Sequence, residues 1–382
     1  MNNVDKQYLD IARDILENGY RKKTRAGEVL SVFDRTMRFD LKDGLPLLTT
    51  KKVFTKGCIY ELLWFLSGDT NIKFLVDHNV NIWTDDAYRY YKELVAKHNA
   101  VVAKTPMQDF YEQNPIETLD KEAFIAAVKE KKTELFILDE KSYIMSFIPN
   151  SYAMKYTYGD LGPVYGHQWR ANDVNDCNRF STARFDQIQN IIDTLRNNPD
   201  DRRMLCVAYN TNDLHNCYSM ALPPCHVMFQ VWSRELGLSE RIAWYNMQNP
   251  GKNLPEDASE EWVDRLGIEK RELSLSFIMR SNDLPLGNPL NIVSYSVFLY
   301  MICKVVNMVP GEVVYHGEDV HIYTNQIDGI KEQLTRKGSD ILPKLKFTPG
   351  KEFKELSDFT YEDFIIEDYY PDSVIKMPLS VG

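Results

Sequence analysis

Cys225 stands in the run Ala221-Leu-Pro-Pro-Cys-His226. Two prolines directly ahead of a strand-like stretch hold the backbone extended and rigid, which fixes where the thiol points. A free thiol titrates near ~8.5, so it becomes a good nucleophile only beside a cation or dipole. Arg203 and His226 are the candidates for that cation. The same hexapeptide also suits an inert, buried cysteine that opens a strand.

The other polar residues have similar double readings. Arg202 and Arg203 follow Asn198-Pro-Asp-Asp201. They read either as a solvated turn after a helix stop or as a bidentate clamp for a phosphate. Arg280 and Ser281 end a strand that is apolar on one face, and an arginine with a hydroxyl suits the same anion. Glu61 lies inside the apolar run Ile59–Leu66. Desolvation there raises a carboxyl pKa and makes a proton shuttle near neutrality; at the helix rim it would only reach out to water. Asp283 and Asn291 flank Leu-Pro-Leu-Gly-Asn-Pro-Leu, a tight loop that projects polar ends. The Asn291 amide offers one donor and one acceptor, which matches the N3–H and O4 edge of uracil; it also suits a helix N-cap. His321 and Tyr323 are two apart on a strand and share a face, either to bind a sugar hydroxyl or simply to pack.

The elements that must position these residues are legible from periodicity. Tyr8, Ile11, Ala12, Ile15 and Leu16 share one helical face over 5–19. Leu30–Leu41 alternates and reads as strands around a turn at Asp34–Arg35. Ile59–Leu66, Asp186–Asn197 and Leu290–Met308 read as helices. Arg203–Tyr209, Cys225–Trp232, Leu273–Met279 and Val313–Tyr323 read as strands. Two charged stretches, about 88–158 and 235–271, read as superficial insertions. The first contains one weakly helical piece over 121–131. The pattern predicts an α+β fold: one mixed β-sheet packed with long helices, in a single domain spanning 1–382.

Composition excludes several classes. Of 382 residues, 45 are basic and 55 acidic, a net charge of -10, so a general nucleic-acid coat is not expected. A small anion held by a few arginines is compatible with this charge. The six cysteines (58, 177, 206, 217, 225, 303) form no C-x-x-C pair, so no zinc ribbon, redox motif or disulfide scaffold is expected, and no metal. The N-terminus has no apolar signal core, and no run of ~18–20 wholly apolar residues suggests a membrane span. The expected compartment is the cytoplasm, a viral host's included.

In order along the chain, Glu61-Leu-Leu-Trp-Phe-Leu, Gly68-Asp-Thr-Asn-Ile, Leu161-Gly-Pro-Val-Tyr-Gly-His-Gln-Trp-Arg170, Asp201-Arg-Arg203, Ala221–His226, Arg280–Asn291 and Asp319-Val-His-Ile-Tyr323 resemble the thymidylate synthase family. That family includes the deoxynucleotide hydroxymethylases of bacterial viruses. The resemblance implies a thymidylate synthase-like fold and one-carbon transfer to dUMP from 5,10-methylenetetrahydrofolate, with no metal. Cys225 adds to C6 of the base, making C5 nucleophilic toward the folate methylene. Arg25, Arg203, Arg280 and Ser281 hold the 5′-phosphate, and Arg202 reaches the phosphate of a neighbouring subunit in a homodimer. Asn291 reads the base, and hydrogen bonds near it meet charge on O4. His321 and Tyr323 bind the 3′-hydroxyl, Glu61 organises water and protons, and Tyr165 lies where the C5 proton leaves. Asp283 contacts the pterin, while Ile82, Trp83, Leu222, Leu286, Gly287 and Leu290 line the folate pocket. The C-terminal tail, with Ser380, closes over it.

Asn291 favours uracil over cytosine, since the cytosine-specific hydroxymethylases place an aspartate there. The last step divides the family. Asp85, Asp86 and Ala87 stand where a second tryptophan is usual, Asn172 replaces another, Leu290 replaces phenylalanine, and the tail Pro-Leu-Ser-Val-Gly is more polar than usual and one residue longer. A wetter pocket favours water over hydride at the exocyclic methylene. The sequence therefore predicts a dUMP hydroxymethylase of viral type, with thymidylate synthase as the alternative. A catalytically silent nucleotide- or RNA-binding relative is opposed by the intact Cys225, Arg203, Glu61 and Asn291.

Overall fold

The computed structural model describes residues 1–104, 115–136, 138, 154–175, 182–215 and 220–380. Cys177, Cys217 and the last two tail residues lie outside the described residues, as do parts of the 88–158 stretch.

Among the described residues six strands make the central sheet: β1 (Tyr20–Thr24), β2 (Gly27–Asp40), β3 (Leu205–Val207), β4 (His226–Glu235), β5 (Arg271–Asp283) and β6 (Val309–Tyr323), in the order β1-β2-β6-β5-β4-β3. Only β5 and β6 run parallel; the other neighbours are antiparallel. The mixed sheet expected from the alternation is present. A parallel pair needs a crossover, and the helix Gly287–Val306 supplies it. That helix is the apolar Leu290–Met308 run. It is long and apolar enough to cross a membrane, by length and composition, yet most of its side chains are buried within the fold. A second buried helix, Thr55–Leu66, packs against it.

The N-terminal helix Asn3–Asn18 is capped by Asn2 and buries Tyr8, Leu9, Ile11, Ala12 and Ile15. The buried Asp5 carboxylate ties its start to the chain at 49–50, accepting from the backbone N–H and hydroxyl of both Thr49 and Thr50.

Two expectations need correction. No turn divides Leu30–Leu41. Asp34 sits at φ 57°, but β2 continues through it and pairs with β6 in the same register on either side. The strand partner outweighs the local turn preference. The stretch at 88–158 is not superficial decoration either. It contains the C-terminal part of a helix, Thr84–Lys104, a second helix, Lys121–Lys129, and a hairpin of Thr133–Phe136 with Met154–Thr157. Tyr91, Leu94, Phe124, Val128 and Tyr156 are fully buried in the same hydrophobic core as the sheet. Residues 235–271 differ: Ile242, Leu254, Ala258, Val263 and Ile268 form a small core of their own.

The register concentrates the polar residues at one end of the sheet. Parallel pairing sets Asp283 opposite His321. Antiparallel pairing brings the start of β4 to the same end, with His226 opposite Met279. A β-bulge between His226 and Met228 re-aims the backbone just after Cys225, as bulges beside active sites do.

Candidate active site

Cys225 is half-buried, unlike Cys58, Cys206 and Cys303, which are buried. Its backbone N–H donates to the Tyr165 hydroxyl at 2.7 Å. The cation beside it is Arg280, with Nη2 3.8 Å from Sγ. Arg280 Nε donates to the Pro224 carbonyl at 2.7 Å and Nη2 to the Pro223 carbonyl at 2.9 Å. The two prolines thus do more than stiffen the approach; their carbonyls hold the guanidinium at the thiol. Burial pushes the Cys225 thiol up, Arg280 pulls it down, and Asp86 pushes it up.

Neither cation expected from the sequence fills this role. Arg203 is 88% exposed and forks onto Asp201, through Nε at 3.1 Å and Nη2 at 2.8 Å. Arg202 is also exposed. His226 is buried, and desolvation lowers its pKa to about 3, so the ring is neutral near pH 7 and carries no charge for the thiol. Its ring nitrogens face Tyr295 Oη at 3.1 Å and Asn291 Nδ2 at 3.0 Å.

Glu61 lies in the middle of the helix Thr55–Leu66 and is 8% exposed. Burial raises its carboxyl to about 7, offset in part by the Trp83 indole N–H, which donates at 2.6 Å. Trp83 in turn packs near Trp64 and Tyr165, with ring centroids 5.9 and 6.0 Å away. Ile82, Leu222 and Leu290 are, like Trp83, partly buried side chains against the core, and Leu286 and Gly287 are half-buried.

Burial also raises the Asp283 carboxyl; it accepts from the Leu286 N–H at 3.2 Å and Gln326 Nε2 at 3.4 Å. Gln326 also donates to the Pro378 carbonyl at 3.2 Å, and Asn325 to Ser380 Oγ at 3.4 Å, so the tail is fastened beside Asp283. Lys51 sits below, donating to the Pro285 carbonyl, and burial lowers its pKa to about 8. On β6, His321 Nδ1 is 3.3 Å from Asp319 and meets Tyr323 edge-on at 5.2 Å. Ser281 pairs in register with Asp319. Burial raises the Tyr323 hydroxyl pKa, and Arg25, exposed at the β1–β2 turn, offsets this only slightly.

The fold therefore gathers Cys225, Tyr165, Arg280, His226, Asn291, Glu61 and Trp83 around one centre, with Asp283 and the tail alongside. Arg202 and Arg203 point elsewhere in this chain. Sequence reasoning missed Arg280 as the thiol's neighbour, and also Gln326, Asn282 and Asn288. The polar triplet Ser281-Asn-Asp283, interrupting an apolar alternation, was the available signal for Asn282.

The family model described as thymidylate synthase matches residues 6–381. The chain belongs to the thymidylate synthase family. It is 35% identical to a thymidylate synthase of Mycoplasma mobile over 376 residues, covering 98% of this chain and 99% of the relative. It is 34% identical to one of Listeria innocua over 377 residues (98% and 100%) and 36% to one of Rhizobium rhizogenes over 378 residues (98% of each). Membership makes the protein a folate-dependent one-carbon transferase acting at C5 of dUMP, with 5,10-methylenetetrahydrofolate as co-substrate. The residues present fit that co-substrate: partly buried apolar side chains such as Trp83 suit stacking on a flat heterocycle, and the Asp283 carboxyl would suit its N–H groups.

Proposed function

We propose that the chain is a thymidylate synthase in the strict sense, making dTMP and dihydrofolate from dUMP. The observation that carries this is the Trp83–Glu61 hydrogen bond at 2.6 Å; separately, the tail is tied to Gln326. Hydride transfer requires water to be excluded, and a fixed aromatic wall and a fastened tail favour that exclusion once the folate is bound. The names of the relatives support the same outcome.

In this reading Cys225 attacks C6 and Arg280 stabilises its thiolate. Neutral His226 and Asn291 face the base, and Asn291 reads N3–H and O4. Tyr165, its hydroxyl kept protonated by burial, lies where the C5 proton leaves to water, and Glu61, poised near 7, relays protons through water. Arg280, Ser281 and Arg25 hold the phosphate, and His321 and Tyr323 the 3′-hydroxyl. Ile82, Trp83, Leu222, Leu286, Gly287, Leu290, Asp283 and Ser380 hold the folate, which supplies the one-carbon unit and the hydride. The exposed Arg202 and Arg203 suit a homodimer in which Arg202 serves the neighbouring phosphate. The chain acts as one catalytic domain over 1–382, in the cytoplasm.

One observation favours a second reading, dUMP hydroxymethylase. Asp86 lies one helical turn beyond Trp83 and acts electrostatically on Cys225. It pairs with Arg89 at 3.3 Å, and Arg89 donates to the Ala221 carbonyl at 3.0 Å. A carboxylate in this wall could hold the water that replaces hydride. Incubation with dUMP and methylenetetrahydrofolate separates the two: a methyl product with equimolar dihydrofolate supports the synthase, a hydroxymethyl product without dihydrofolate the hydroxymethylase.

A further inference from the structure

Beneath Asn291 runs a buried chain of amides. Asn282 Oδ1 accepts from the Tyr315 hydroxyl at 2.8 Å and from Asn288 Nδ2 at 2.6 Å. Asn282 Nδ2 donates to Asn291 Oδ1 at 3.1 Å, and Asn291 Nδ2 faces His226 Nε2 at 3.0 Å. His226 Nδ1 ends the chain on Tyr295. All six side chains are at least nine-tenths buried, so water cannot substitute for a misdirected group.

We infer that Asn282 is a positioning residue that sets the polarity of the Asn291 amide and thereby the choice of uracil over cytosine. The inference rests on the reading of Asn291 as the base reader. Each amide has two acceptor lone pairs and two donor hydrogens. With one lone pair on Asn282 and one hydrogen on His226, Asn291 retains one acceptor for N3–H and one donor for O4. Uracil completes its hydrogen bonding. Cytosine would set its N3 lone pair against Oδ1 and its amino group against Nδ2. Asn291 cannot turn over alone to suit cytosine. Its NH2 would then meet that of Asn282, and its oxygen would be satisfied only if neutral His226 moved its proton from one ring nitrogen to the other. Asn282 is held the same way by the Asn288 amide donating to its oxygen, with the Tyr315 hydroxyl, able to donate or accept, as a second contact there. The polarity is a property of the whole chain from Tyr315 to His226.

The test is the ratio of Kd for dCMP to Kd for dUMP, measured by calorimetry on the whole protein without folate. Asn282→Asp replaces the donor facing Asn291 by an acceptor. The ratio is expected to fall about tenfold or more, and to fall further as pH rises and the new carboxyl ionises, a profile that wild type lacks. Tyr315→Phe keeps the packing and removes one anchor; a fall of about two- to fivefold is expected. If both variants keep the wild-type ratio, even with weaker binding of both nucleotides, the inference is overturned. If Asn282→Asp does not fold, Tyr315→Phe decides alone. A wild type that bound dCMP as tightly as dUMP would instead remove the reading of Asn291 on which the inference rests.

Discussion

The stretches 88–158 and 235–271 are both charged, and both interrupt the alternation of sheet and helix. Yet the first buries Tyr91, Phe124 and Tyr156 in the core of the sheet, while the second closes on its own small cluster around Val263. Their attachment explains the difference. The helix Thr84–Lys104 begins directly after Trp83, so the first stretch is anchored at the site itself. The second leaves and rejoins the sheet between Glu235 and Arg271, which are paired neighbours on β4 and β5. Composition reports solvent exposure of the average residue; the anchoring strands decide whether a segment shares the core.

The largest effect belongs to the site against which both stretches are measured. Cys225→Ser should cut turnover by about a thousandfold or more and abolish the covalent complex with 5-fluoro-dUMP and methylenetetrahydrofolate, read by intact mass. A complex that persists would mean another nucleophile.

In the first stretch, Phe124→Ala should destabilise the whole protein by about 3–5 kcal/mol, seen in a single denaturant transition with loss of activity. A separate minor transition with activity retained would show that this stretch is a satellite after all.

Glu61 provides a pH test of the same shared core. Its folded pKa of about 7 lies above the ordinary 4.5, so its favourable contribution is complete below about 4.5 and is lost as pH rises to about 7. The loss is about 3 kcal/mol. Glu61→Gln should flatten that slope and be the more stable protein at pH 8, while turnover falls. An unchanged slope would place the ionisation elsewhere.

The smallest effect is expected in the second stretch. Replacing 238–268 by a short glycine-containing turn should leave kcat/KM for dUMP within about threefold of wild type, since β4 and β5 already adjoin at its neck. A loss comparable to that of Phe124→Ala would erase the distinction between the two segments.

Much of this was legible in the sequence. The helical face of Tyr8 to Ile15, the alternation of Leu273–Met279 and the apolar run after Asn291 all fold as their periodicity requires, because each buries one continuous face. The raised carboxyl of Glu61 was one of two readings its apolar neighbours allowed, and its burial in the fold selects it. What failed depended on partners distant in sequence. Asp34 was read as a turn because its partner strand β6 lies some 280 residues away. The cation at Cys225 was sought in Arg203 and His226, near in sequence, whereas pairing of β4 with β5 delivers Arg280. His226 could not be known to be neutral without its burial. The relay from Tyr315 to Asn291 joins β5, β6 and the crossover helix, which no local pattern connects.

The central claim is tested most directly by weighing the nucleotide made from dUMP and methylenetetrahydrofolate while following dihydrofolate absorbance. The account predicts a methyl product with one dihydrofolate formed per turnover. A hydroxymethyl product with no dihydrofolate would contradict it and make Asp86, rather than the Trp83–Glu61 wall, the feature that decides the last step.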